Sequence, residues 1–329
     1  HQVDAERTTS VAALRAFLRT DSIGIGGGGM FGLGLPPLVR LLPWVVLTAW
    51  LTGKEIYFLS LGAYQNTPWS TKLPLQLAAR CAKAVTVRDP QSAATLSTGL
   101  ARGVVVEIVP DPSLLVPAAG AAAVRDFLAP CLGDAADRPL LVVNVKAMPD
   151  AALLDRTLDA LADGLARWRA TTDDPIVFLS MSAAGDYGLG APSADHHLAQ
   201  RVIDEAGLAG DAVIVGPGLA PAVAKGICAR ATGVVAMRLH AQIFAGTTGT
   251  PLLGITFEAK SRLWLAETGA HEQPAETLTG DAVLDWLQTL RARVQVPSVS
   301  DGSEGGGEGP GRTQEANLSS LNQKTVRYP

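Results

Sequence analysis

Apolar and polar positions along the chain follow two periods: short β-forming runs bounded by glycine or proline, and longer stretches with apolar residues three and four apart. SVAALRAFLRT (10–20) has helical spacing, and the short apolar strand 22–25 runs into Gly26-Gly27-Gly28-Gly29, which reads as a strand-to-loop junction. A helical region follows. After it come a strand over 53–62, a helix over 73–83, a strand over 84–87, a proline-opened helix over 90–100 and a strand over 104–109. Alternation of this kind predicts a parallel, doubly wound sheet.

The segment 117–139 is rich in Ala and Pro and reads as a separator. A second series then gives strands over 140–145, 176–181, 212–215, 233–236 and 252–256. Helices are predicted over 151–169, 196–206, 220–230, 241–248 and 280–293. That order is nearly a complete Rossmann-like domain. The final SVSDGSEGGGEGPGRTQEANLSSLNQKTVRYP is too rich in Gly, Ser, Glu and Asn to bury a core, and is predicted to be disordered. The expected division is an N-terminal domain over 1–117, a C-terminal domain over 118–297 and a tail over 298–329.

A chain of 329 residues that is 47% hydrophobic can supply two cores. A net charge of −4 gives no reason to expect nucleic acid or a strongly acidic membrane surface as a partner, so any anion site must be local. Cys81, Cys131 and Cys228 are far apart, without CxxC or Cys/His zinc spacing. They are expected to be three buried small residues in a reducing compartment, with no metal site. The chain opens at His1 without a Met, a basic n-region or an apolar h-region, so nothing predicts secretion, and a start inside a longer gene product is an open reading. The most apolar stretch, 33–51, is broken by Pro36, Pro37, Arg40 and Pro43. It falls short of the roughly 20 unbroken apolar residues of a spanning helix. It reads as a buried helix or as an interfacial face with Trp44 and Trp50 at a headgroup boundary, which would put a cytoplasmic protein at the inner face of a membrane.

Five constellations carry candidate chemistry. Gly27, Gly28 and Gly29 let backbone N–H groups approach an anion, or simply make a tight turn; the run is neither GxGxxG nor a P-loop. Arg88, in Thr86-Val87-Arg88-Asp89, stands at a strand's carboxyl end, where a guanidinium fork can capture a carboxylate or phosphate, or bridge a neighbouring carboxylate. Asp111, past the next strand, reads as a turn residue. Arg238 and His240, in VAMRLHAQIFAG, flank Leu239 at a strand end and a helix start, where peptide dipoles favour an anion. A histidine beside a bound dianion has its charged form favoured and suits the role of acid; a structural histidine is the alternative. Glu258 and Lys260 follow another strand: the carboxylate could accept a hydroxyl proton and the ammonium contact phosphate, or both could be solvated loop charges. Asp195-His196-His197 reads as an N-cap with two polar first-turn residues, or as part of an acceptor site.

The ordered set GGGGMF, VTVRDPQSAATL, VEIVPDPSLLV and VVAMRLHAQIFAGTTGTPLLGITFEAKSRLW, over most of 22–265, resembles the polysaccharide pyruvyltransferase family. The resemblance implies two Rossmann-like domains of GT-B type and transfer of the pyruvyl unit of phosphoenolpyruvate to two hydroxyls of a sugar, giving a cyclic ketal and phosphate. It implies that Arg238 and His240 belong to the donor site, with Arg88 joining them, that phosphoenolpyruvate is a co-substrate, and that neither cofactor nor metal is required. The partner would be a sugar or glycan acceptor, with a lipid-linked form among the options; oligomeric state is left open. The chain departs from the family pattern in lacking an opening strand and loop before Ser10 and an acidic residue soon after the glycine run, so the N-terminal acceptor side reads as incomplete. A GT-B glycosyltransferase using a nucleotide sugar and a non-catalytic carbohydrate-binding relative remain as alternatives.

Overall fold

The computed structural model describes residues 11–32, 37–183, 186, 190–294 and 326–328. Ser10, positions 33–36 and the tail from 295 to 325 lie outside the described residues. The chain divides into two units, His1–Pro112 with Leu321–Pro329, and Ser113–Ser320.

The first unit runs α1 (Val11–Arg19), β1 (Ser22–Phe31), α2 (Pro37–Leu51), β2 (Glu55–Ala63), α3 (Trp69–Cys81), β3 (Ala84–Val87), α4 (Pro90–Leu96) and β4 (Val106–Ile108). The four strands lie in sequence order and are all parallel. Ile56, Phe58 and Leu61 of β2, Val85 and Val87 of β3, Val46 and Ala49 of α2, and Leu75 of α3 make its core. Each such side chain contributes about 1.5–3 kcal/mol on burial, less for the smaller alanine.

The glycine run is not a loop. β1 continues through it, with Gly26 opposite Leu59 and Gly28 opposite Leu61. The reason lies in β2, where Ser60 has φ 50° and the register with β3 shifts between Phe58 and Leu61. That irregularity pushes the Leu59 carbonyl to 1.8 Å from where a Cβ on Gly26 would sit, so only glycine fits there. Gly27 and Gly28 take φ 82° and 84°, which lets the strand follow its irregular partner.

α2 is not wholly buried either. Pro43, Val46 and Ala49 face the core, whereas Leu41, Trp44, Val45 and Leu51 are exposed.

The second unit runs α5 (Ala121–Leu132), β5 (Leu140–Asn144), α6 (Ala151–Arg169), β6 (Ile176–Leu179), α7 (Asp195–Glu205), β7 (Ala212–Val215), α8 (Pro221–Arg230), β8 (Ala231–Ala236), α9 (Leu239–Thr247), β9 (Leu252–Thr256), α10 (Ala259–Thr268), β10 (His271–Pro274) and α11 (Gly280–Val294). Its six strands are parallel in the order β10-β9-β8-β5-β6-β7, the doubly wound Rossmann arrangement. The Ala/Pro-rich segment expected to be a mere separator contains α5, because AAAVRDFL is a strong helix former whose Val124 and Leu128 bury against the sheet. α10 and β10 were not legible as elements. α10 lacks a clean apolar stripe and β10 is a polar edge strand ending in proline.

The last strand, β11 (Val326–Tyr328), adds antiparallel to β4 of the first unit, pairing Val326 with Ile108 and Tyr328 with Val106. The expectation of a wholly disordered tail therefore fails at these three residues, whose Val and Tyr are β-formers unlike the Gly/Ser/Glu sequence before them. The cysteines also differ from expectation: Cys228 is buried and its thiol is pushed up to about 12 by desolvation, but Cys81 is half-buried and Cys131 exposed. All three thiols are free.

Among the described residues no helix is long and apolar enough to cross a membrane, and no group of three or more His, Cys, Asp or Glu could hold a metal ion.

Candidate functional site

In the second unit the winding direction reverses between β5 and β8, and ligands of open α/β sheets bind outside the carboxyl ends of strands at such a point. Asn144 organises this edge. Its amide Nδ2 donates to the Leu179 carbonyl at 2.8 Å, its Oδ1 accepts from Arg238 N at 2.9 Å, and its carbonyl accepts from Met237 N at 3.0 Å. One side chain, 1% exposed, thus ties together the ends of β5, β6 and β8. Sequence reading passed over it because a lone Asn inside the strand predicted over 140–145 carries no motif.

Arg238 is the residue before α9, with φ −83° and ψ 133°, and its guanidinium turns to two carboxylates. Nε lies 2.6 Å from Asp195 Oδ2, while Nη2 lies 2.5 Å from Asp195 Oδ1 and 2.6 Å from Asp186 Oδ2. Burial is the largest influence on Arg238 and disfavours its charge, but Asp195 and Asp186 outweigh it and raise its pKa. Asp195 is not the predicted N-cap. Ala194 occupies that position, and the buried Asp195 carboxylate accepts from the N–H groups of Met181 and Ser182 at 2.9 and 3.1 Å. The physical reason is competition: a guanidinium and two amides outside the helix offer more to the carboxylate than its own helix's N–H groups.

His240 falls in the first turn of α9, exposed, and lines a cleft of about 300 Å³ with Ser180, Met181, Leu219 and Phe244. Leu239 between Arg238 and His240 is half-buried. Ser180 is 2% exposed, and its Oγ has no hydrogen-bond partner among the described residues.

A second charged group sits on the same sheet edge. Lys146, just past β5, is buried and places Nζ 2.7 Å from Glu258 Oε1 and 5.1 Å from the Phe257 ring centroid. Burial pulls its ammonium below the usual lysine range, Glu258 opposes that, Lys260 adds to the lowering, and Asp186 opposes it. Glu258 also pairs with Lys260 at 3.1 Å. The picture of Glu258 and Lys260 as solvated loop charges holds only in part: Glu258 is partly buried in a paired cluster, whereas Lys260 is exposed but belongs to the first turn of α10 and not to a loop. Asp186 links the two groups, bonded to Arg238 and acting electrostatically on Lys146. Sequence reading missed Lys146 because a single lysine among the apolar residues after a strand carries no motif.

In the first unit Arg88 stands at the end of β3, its side chain 8% exposed. Nε lies 3.6 Å from Asp89, Nη1 3.5 Å from Asp111, and Nη2 donates to the Tyr64 hydroxyl. Asp89 caps α4 by accepting from Ser92 N at 2.7 Å, with Pro90 in the first turn. The bridging reading of Arg88 is therefore realised in the folded chain, and Asp111 is part of that bridge. Gly27, Gly28 and Gly29 lie in β1; a Cβ on either of the first two would meet nothing within 4 Å.

The family model described as polysaccharide pyruvyl transferase matches residues 6–258. No curated protein matches the sequence. Among solved structures, the chain is similar to a UDP-GlcNAc 2-epimerase from Neisseria meningitidis, at 9% identity and TM-score 0.54, covering 89% of this chain and 76% of that one. The same enzyme from Methanocaldococcus jannaschii gives 13% identity and TM-score 0.51 over 95% and 80%. Another UDP-N-acetylglucosamine 2-epimerase gives 10% and 0.55 over 95% and 69%. At these identities the likeness is one of fold.

Proposed function

The chain belongs to the polysaccharide pyruvyl transferase family, and on that premise we propose that it transfers the pyruvyl unit of phosphoenolpyruvate to two hydroxyls of one sugar, forming a cyclic ketal and releasing phosphate. The observation that supports this reading is the position of Arg238 and His240 at the carboxyl edge of β8, beside the reversal of winding, in a chain whose net charge is −4. The gathering of Arg238, Lys146 and Lys260 at one sheet edge of an acidic protein supports a local anion site.

In this reading an acid protonates the methylene carbon of phosphoenolpyruvate, and C2 becomes oxocarbenium-like. One sugar hydroxyl adds to C2 and loses its proton. The C2–O bond to phosphate then breaks, phosphate takes the electron pair, and the second hydroxyl closes the ring as its proton leaves. The protein's contribution is to hold carboxylate and phosphate in one orientation and to supply and remove protons. Arg238 is assigned to the donor's anionic groups and His240 to proton delivery or phosphate departure. Lys260 is assigned to phosphate and Glu258 to accepting a hydroxyl proton. Arg88 and the backbone of Gly27, Gly28 and Gly29 are assigned anion-binding roles in their own unit. The empty protein balances Arg238, Lys146 and Lys260 with Asp195, Asp186 and Glu258. A donor anion must therefore displace a carboxylate, and the more exposed Asp186 is the one assigned to yield.

Calorimetric titration with phosphoenolpyruvate and, separately, with UDP tests the reading. Saturable binding of phosphoenolpyruvate that Arg238→Ala abolishes supports it; binding of UDP alone would favour a nucleotide-sugar transferase.

A further inference from the structure

We propose that the outer faces of α2 and α3 form a docking surface for an anionic lipid bilayer. The proposal stands apart from the transferase reading and does not rest on it. β1, β2 and β3 are adjacent, parallel and in sequence order. Right-handed crossovers then put both connecting helices on the same face of the sheet, and α2 and α3 pack side by side there. Both turn apolar residues outward. On α2 these are Leu41, Trp44 and Val45, spaced at one helix face, with Leu51 farther along; Trp44 is 53% exposed. On α3 they are Trp69, Leu73 and Leu77, four apart, and Trp69 is 76% exposed. By contrast, Trp168 of the second unit is 2% exposed in a core.

Charge selects the occupant. α2 carries Arg40, and α3 carries Lys72 and Arg80; neither helix contains an Asp or Glu, in a chain that has 31 acidic residues against 27 basic ones. Arg40 and Arg80 are exposed, with Arg80 Nη1 3.4 Å from the Leu100 carbonyl, and half-buried Lys72 reaches the Gln65 carbonyl at 3.2 Å. Outward Trp and Leu on two helices whose own charged residues are all cations suit the headgroup level of a bilayer, where the rings sink to the acyl boundary and the cations meet lipid phosphates. A second copy applied through the same face would set these cations against one another, which disfavours self-association. The overall charge of −4 argues against a generally anionic partner, so the attraction is confined to this face.

Co-sedimentation of the full chain with phosphatidylglycerol/phosphatidylcholine vesicles, against phosphatidylcholine alone, tests this. Binding is expected to the anionic vesicles and to fall as salt rises. The double variant Trp44→Ser/Trp69→Ser should lower the partition coefficient about tenfold or more, and Arg80→Glu about fivefold or more. All these residues are exposed, so circular dichroism and thermal melts should match the wild type. Absence of vesicle binding, or binding that both variants leave unchanged, would overturn the proposal. So would a dimer in sedimentation velocity that the Trp variants dissolve, because the occupant would then be a second copy.

Discussion

Asp195 grips Arg238 with both carboxylate oxygens, at 2.6 Å to Nε and 2.5 Å to Nη2, while also accepting two backbone amides from the segment after β6. A pair so deeply enclosed is costly to break from one side, since the guanidinium keeps its charge with only the more exposed Asp186 carboxylate against it and two backbone amides lose their acceptor. Asp195→Ala should destabilise the protein by about 3–5 kcal/mol. Chemical denaturation measures this, and a loss below about 1 kcal/mol would mean that the pair does not organise the edge.

Asp186 binds the same guanidinium from a more exposed position. Asp186→Asn removes one negative charge from the place proposed for the donor anion. It should lower KM for phosphoenolpyruvate roughly threefold to tenfold with kcat little changed. Steady-state phosphate release checks it, and a raised KM would show that Asp186 helps binding instead.

Lys146 gives a pH signature. Burial lowers its pKa in the folded chain below the 10.5 of the free side chain, so between those two values the unfolded chain holds the proton that the folded chain has lost. With more protons bound when unfolded, stability rises with pH across that window, and the penalty of burying the ammonium is fully present below it. Wild type should therefore gain stability relative to Lys146→Met as pH rises towards 10.5. Parallel pH profiles for the two proteins would show that Lys146 is not desolvated.

The glycine run separates packing from function. Gly26→Ala would put a Cβ 1.8 Å from the Leu59 carbonyl and should cost about 2 kcal/mol or more. Gly28→Ala meets no atom but keeps a positive φ, and should cost about 1–2 kcal/mol. If Gly28→Ala matched Gly26→Ala in a thermal melt, close approach to β2 would not be what selects glycine at position 26.

How far the sequence could be read follows from where its signals were local. β3, β7 and β9 have their predicted bounds because each is a compact β-forming run between breakers, and α6 does because its apolar period holds over five turns. β1 outran its prediction because the shape of β2, whose residues opposite Gly26 and Gly28 lie 33 positions further along, decides whether glycines extend or turn. α5 hid in an alanine-rich segment, and β10 is a polar edge strand that only its neighbour β9 defines. At the site, Arg238 and His240 were legible from a strand-end motif. Asn144, Lys146 and the grip of Asp195 on Arg238 were not, since each depends on pairings between residues 35 to 112 positions apart.

Mass spectrometry of candidate sugar acceptors incubated with the protein and phosphoenolpyruvate tests the proposed ketal transfer at its product. The acceptor's mass is expected to rise by one pyruvic acid less one water, with phosphate released in equal amount, and Arg238→Ala and His240→Asn are expected to lower the yield about 100-fold or more. Modification of the acceptor by a sugar from a nucleotide donor, with phosphoenolpyruvate left intact, would contradict it.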